Sequence, residues 1–147
     1  MTDAIGSILA SKGREMWSIA PDATVYDAIA LMADKRIGAV LVVSGKMLVG
    51  ILSERDYARK VILQGRSSKD TRVLEIMTAS LVTVSPEHTV EGCMKIMTQN
   101  RIRHLPVLDR GQLVGVVSIG DLVNALIADQ AHTIDQLQTY ISHRYPA

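Results

Sequence analysis

The spacing of apolar residues changes character several times within the first half of the chain. Val25, Ala28, Ile29 and Met32 recur at helical spacing behind Thr24, whose hydroxyl suits an N-cap, and predict a helix from about Thr24 to Lys35. Two short β-branched runs follow, Ala39–Val43 and Leu48–Leu52, separated by Ser44-Gly45-Lys46 in the pattern of a hairpin. Ser53 then opens a second helix with Glu54 and Asp56 in its first turn and Tyr57, Val61 and Ile62 on its apolar side, and Gln64-Gly65 ends it. A brief strand at Met16–Ile19 precedes Pro21, which holds its predecessor extended. The order is strand, helix, strand, strand, helix.

The same order returns 65 residues later without a gap. Pro21, Thr24, Met32, Arg36, Val42, Gly50, Ser53 and Asp56 superpose on Pro86, Thr89, Met97, Arg101, Val107, Gly115, Ser118 and Asp121. The second set of elements is a strand at Leu81–Val84, a helix from Thr89 to about Gln99, strands at His104–Leu108 and Leu113–Val117, and a helix from Ser118. Repeated units of this kind bury their apolar faces against each other, which places function between the copies. The segments divide as a lead-in helix (1–15), a first repeat (16–64), a linker and lead-in turn (65–80), a second repeat (81–129) and a C-terminal helix (130–147). Under the same shift, Ile8 and Leu9 fall on Val73 and Leu74. In the tail, Thr133 and Gln136 fit a capping box, and Ile134, Leu137 and Ile141 share one face. That stripe either packs on its own domain or meets its equal on another chain.

Composition narrows the class. The 147 residues carry a net charge of +1 with basic residues scattered, which argues against nucleic acid and anionic membrane as partners. No apolar run, Ala39–Val43 and Ala28–Ala33 included, approaches the roughly 20 residues that span a bilayer. An N-terminus without a basic leader, together with a single cysteine, points to the cytoplasm. Phenylalanine is absent, so Ile, Leu, Val and Met must fill the core, and platforms for stacking nucleic-acid bases are lacking. No phosphate loop, CxxC pair or HExxH helix occurs, and the four histidines show no metal-ligand spacing. Cys93 aligns with Ala28 and reads as a small core residue. No residue set points to turnover, so the expectation is a protein that is not an enzyme.

The motif that can carry chemistry is Gly-x-x-Ser-x-x-Asp, as GILSERD at 50–56 and GVVSIGD at 115–121. It places a serine at a helix N-cap and an aspartate in the first turn, where amide groups and the helix dipole favour an anion and glycine permits close approach. The aspartate can accept both hydroxyls of a ribose. Taken singly, Ser-x-x-Asp is more often only a cap. Two matched copies, each with its glycine, shift the balance towards ligand binding.

With IAPDATVYDAI, KRIGAVLVV and LVGILSERD in one copy, and VSPEHTVEGCM, NRIRHLPVLD and LVGVVSIGD in the other, the chain resembles a stand-alone bacterial tandem pair of CBS domains. This is the Bateman module, named after cystathionine β-synthase. The resemblance implies an α+β fold of two β-α-β-β-α repeats packed through their sheets with pseudo-two-fold symmetry, plus the C-terminal helix. It implies adenosine ligands, namely AMP, ADP or ATP, with NAD(H) or S-adenosylmethionine also possible, a homodimer, and a regulatory role through an unidentified protein in signal transduction or energy sensing. The family's phosphate and ribose contacts carry onto Ser53 and Asp56, and onto Ser118 and Asp121. Its adenine contacts carry onto Ser18 and Ile19, and onto Thr83 and Val84. Arg55 in the first repeat, and Arg103 and His104 in the second, are the candidate phosphate-facing cations; the alternatives are a solvated helix face for Arg55, a surface charge for Arg103 and a strand residue satisfied by the backbone for His104. Pro106 reads as a residue of an exposed strand edge bordering adenine. Because these cations differ between the copies, two unequal sites are expected. The alternative is a structural dimerisation module without ligand.

Overall fold

Thr24 and Thr89 begin two matching 11-residue amphipathic helices in the same way, each hydroxyl accepting an amide three residues on, from Asp27 at 3.1 Å and from Gly92 at 2.9 Å. In the computed structural model, which describes residues 4–12 and 16–144, the elements form a mixed α/β fold with two small sheets and six α-helices among the described residues. Side chains of residues 132, 133, 136 and 139–144 lie outside that description. The chain forms two compact units: one holds residues 15–82, and the other combines residues 1–14 with residues 83–147.

In the first unit, β1 (Ser18–Ile19) runs parallel to β2 (Ala39–Ser44) after the crossover helix α2 (Val25–Lys35), and β2 pairs antiparallel with β3 (Met47–Ser53). Helix α3 (Glu54–Tyr57) follows directly and loosens into a π-helical turn at Ala58–Ile62, ended by Gly65 at φ +66°. A one-turn helix, α4 (Val73–Ile76), closes the unit. Val25, Ala28, Met32, Val40, Val42, Leu52, Val61, Val73 and Ile76 form its core, so α4 is part of that core.

The second unit begins with α1 (Ile5–Lys12) and resumes at α5 (Val90–Asn100), the hairpin β4 (His104–Asp109) and β5 (Gln112–Ser118), and α6 (Ile119–Arg144). Six of its buried residues, Val90, Cys93, Met97, Leu105, Val107 and Val117, fall on core positions of the first unit, and Val84, Leu122 and Ile5 are buried with them. Residues 121–144 contain neither glycine nor proline. The last helix therefore runs through Thr133 without the new start that the Thr133–Gln136 capping pattern predicts, whereas Gly65 stops its counterpart.

The strand predicted at Leu81–Val84 shrinks to one parallel bridge, Val84 to Val107. Proline explains the difference. In the first repeat the amide of Leu41 donates to the Trp17 carbonyl at 3.3 Å, which helps hold β1 in place. The matching residue is Pro106, which has no N–H to donate. Only the bonds from Val84 N–H to the Pro106 carbonyl, 3.1 Å, and from Leu108 N–H to the Val84 carbonyl, 2.8 Å, remain.

The two lead-ins also differ from the sequence alignment. Val73 and Leu74 donate their amides to the carbonyls of Ala23 and Pro21, while Ile5 and Gly6 donate to those of His88 and Pro86. Ala23 and Pro21 superpose on His88 and Pro86, so Ile5 is the partner of Val73, and the pairing of Ile8 with Val73 is three residues out of register. The lead-in preceding each repeat thus packs on the other repeat's unit. Helix α1 is one turn longer than α4, which shifts everything after it.

Candidate functional site

Each repeat turns from its last strand into a helix at the motif. In the first, Ser53 Oγ accepts the Asp56 amide at 3.1 Å, and Asp56 Oδ2 accepts the Ser53 amide at 3.0 Å and the Ser53 hydroxyl at 2.9 Å, a closed capping box. In the second, Ser118 Oγ accepts the Asp121 amide at 3.1 Å, and Asp121 Oδ2 accepts the Ser118 amide at 2.8 Å. The first helical amide is also taken, by the Gly38 carbonyl for Glu54 at 3.0 Å and by the Arg103 carbonyl for Ile119 at 2.8 Å. Much of the amide cluster that the sequence offers to an anion is therefore satisfied inside the protein.

The motif glycines serve packing. A Cβ on Gly50 would lie 2.6 Å from Met77 Sδ and 3.1 Å from the Thr78 carbonyl oxygen, and one on Gly115 would lie 2.7 Å from Leu9 Cδ2. What approaches closely is the lead-in segment. Met77 and Leu9 occupy matching places under the three-residue correction, so the two glycines do the same work.

Beyond the caps, the aspartates part company. Asp56 Oδ1 receives Lys60 Nζ at 3.1 Å and Thr78 Oγ1 at 3.4 Å, and Lys60 also donates to the Ile76 carbonyl at 2.9 Å. Asp121 Oδ2 instead receives Lys12 Nζ at 2.7 Å, and Lys12 donates to the Val116 carbonyl at 3.0 Å. His104 stands opposite Ser118 in the β4–β5 ladder, close enough for Lys12 and Asp121 to act on its charge. The second repeat thereby gathers Ser118, Asp121, His104 and Lys12 in one place.

A search against protein families matches the description "CBS domain" twice, at residues 9–62 and 73–128. The chain belongs to the CBS-domain family. It is 43 % identical to the mitochondrial CBS domain-containing protein CBSX3 of Arabidopsis thaliana, over 96 % of this chain and 73 % of that protein. It is 37 % identical to the CBS domain-containing protein YhcV of Bacillus subtilis, over 86 % of this chain and 89 % of that one. Among solved structures, a protein with CBS domains from Burkholderia ambifaria superposes with a TM-score of 0.84 at 55 % identity, covering 86 % of this chain and 96 % of that chain. The CBS pair of MJ0100, solved with 5′-methylthioadenosine and S-adenosyl-L-methionine, shares the fold at a TM-score of 0.77 and 21 % identity, over 88 % of this chain and 99 % of that one.

Within this CBS pair the expected site residues fall into two sets. Ser18, Ile19, Ser53, Arg55 and Asp56 lie in the first unit; Thr83, Val84, Arg103, His104, Pro106, Ser118 and Asp121 lie in the second. Ser18, Arg55 and Arg103 are exposed, Ile19 and Thr83 half-buried, and Val84 buried. Pro106 is also buried, between Val116 and the Val84 bridge, and so does not lie on an exposed edge. Its missing N–H faces the side where the partner strand has been reduced to one residue.

Burial lowers the His104 pKa below its ordinary value, with Lys12 adding to the effect and Asp121 opposing it. For Asp121, burial disfavours the charge, but the bonds from Lys12 and Ser118 outweigh it and hold the carboxyl below the usual range. Burial raises the Cys93 thiol, consistent with a packed rather than reactive group.

Three polar partners escape a motif reading: Lys60, Thr78 and Lys12. Lys60 was within reach, since a lysine four residues after an aspartate on a helix meets it. Lys12 was not, because it lies 109 residues from Asp121 and its position depends on the extra turn of α1. No helix among the described residues is long and apolar enough to cross a membrane, and no cluster of metal-binding side chains occurs among them.

Proposed function

We propose that this CBS pair is a regulatory module that binds an adenosine nucleotide, AMP, ADP, ATP or NAD(H), and passes the signal to a partner protein as a homodimer. The observation that carries this reading is the grouping of Asp121, Ser118 and His104 where β5 turns into α6. A carboxylate that accepts hydroxyls stands beside groups suited to a phosphorylated ribose. The complex of MJ0100 supports the class of ligand as one this fold accommodates. The effect on a partner would follow from the ligand's preference for one arrangement of the protein over another.

The test is calorimetric titration of nucleotide-stripped protein with AMP, ATP, NADH and S-adenosylmethionine in turn. Saturable binding, weakened about tenfold or more by Asp121→Ala, is the expected result, because a hydrogen bond to a charged group contributes about 1.5–3 kcal/mol. Silence from all four with folded protein would overturn it. One observation favours a second reading, a dimerisation module without ligand: Val123, Ile127, Ile134 and Leu137 form an exposed apolar stripe along α6.

A further inference from the structure

Helices α1 and α6 enclose a cleft of about 580 Å³ lined by Ser7, Ser11, Asn124 and Ala125, with the Lys12–Asp121 pair on its wall. That volume is in the range of small-molecule sites. Lys12 is the unusual member. It stands in the chain before the first repeat yet is bonded at the motif of the second, to Asp121 at 2.7 Å and to the last strand through the Val116 carbonyl at 3.0 Å.

An ammonium has three donors, and these two bonds use two of them. A carboxylate accepts about four hydrogen bonds, and the Lys12 and Ser118 amide bonds to Asp121 are both on Oδ2. The pair therefore presents a cation with donor capacity beside a carboxylate with acceptor capacity. Asp56 offers no such arrangement, because both its oxygens are engaged within its own unit.

We propose that Lys12 is a phosphate-binding residue of the second repeat, so that this site selects phosphorylated over unphosphorylated nucleosides. The inference rests on the nucleotide reading above and extends it. A ribose diol can use the acceptor capacity left on Asp121, and a phosphate on the same ligand takes the remaining donor of Lys12. A nucleoside without phosphate engages the carboxylate alone and leaves that donor unused. Binding also ties α1 to the second repeat through the ligand.

The experiment compares AMP with adenosine by calorimetry on the wild-type chain and on Lys12→Met and Lys12→Arg, with thermal melting as the folding control. Lys12→Gln repeats the comparison if the methionine variant does not fold. The expected result is that AMP's advantage over adenosine falls about tenfold or more in Lys12→Met and is largely retained in Lys12→Arg. An unchanged ratio, or tighter binding of both ligands once Lys12 is removed, would overturn the inference while leaving the nucleotide reading intact. A folded wild-type chain that binds neither ligand would overturn both.

Discussion

The two repeats give their motif aspartate a lysine from opposite directions. Asp56 draws on Lys60, four residues ahead in its own helix; at the matching position the second repeat has Ala125, and Asp121 draws instead on Lys12. The lead-ins show the same mixture of likeness and difference. Both seat a large side chain over the motif glycine, but α4 stops after one turn and its chain bends into a bridge at Thr78 with Ile51, whereas α1 continues to Lys12. A short motif repeated in sequence thus fixes the cap and the packing below it. The charge above it comes from wherever the chain can deliver it.

The comparison breaks most easily at the lead-ins. Ile5 of α1 and Ile76 of α4 are both buried, at 0 % and 1 % exposure, on opposite repeats. Ile5→Ala and Ile76→Ala should each cost about 2–5 kcal/mol in urea unfolding, through lost transfer energy and the cavity left behind. If Ile5→Ala costs only a fraction of Ile76→Ala, α1 is not an integral layer of the second unit as α4 is of the first.

The motif glycines sharpen it. Gly50→Ala places a methyl against Met77 and against the Thr78 carbonyl, a backbone atom fixed by its bridge to Ile51, and should cost about 1–3 kcal/mol. Gly115→Ala meets only the far end of Leu9, a flexible side chain, and should cost less. Equal losses, or a larger one at Gly115, would contradict the rigidity assigned to the shorter lead-in.

The caps should respond alike. Ser53→Ala and Ser118→Ala each remove the acceptor of an amide three residues on and should each lose about 1 kcal/mol in thermal or urea unfolding. A loss confined to one of them would show that the boxes are equivalent in geometry but not in energy.

The parts of this fold that were legible in sequence are those set by local chemistry. Helical spacing located α2 and α5, β-branched runs located both hairpins, and the 65-residue shift exposed the repeat. The first-copy helix from Ser53 was found, but not its π-helical turn, which no residue type announces. The strand before Val84 was overread because the proline that shortens it lies on a different strand. At the site, serine and aspartate were found as a pair because their bond spans three residues. Leu9 and Lys12 were missed there because their contacts cross more than a hundred residues and depend on one added helical turn.

Acid titration separates the repeats without altering the motif. The first repeat has Ala39 where the second has His104, so the histidine's effect belongs to one side of the comparison. Burial, reinforced by Lys12, keeps the folded His104 pKa below the ordinary 6.5. The neutral form therefore favours the fold at higher pH, and this contribution is lost as pH falls below 6.5 through the folded value, because the unfolded chain takes up the proton first. Asp121 acts in a lower window: its folded pKa lies below 3.8, so its contribution holds above that value and fades as pH falls beneath it. Melting temperatures measured between about pH 7.5 and about pH 5 should decline less in His104→Gln than in the wild type. Lys12→Met relieves the charge that reinforces burial and should also flatten that decline, but less than His104→Gln because burial is the larger cause. A decline identical in all three chains would place the titrating group elsewhere and separate His104 from the Lys12–Asp121 cluster.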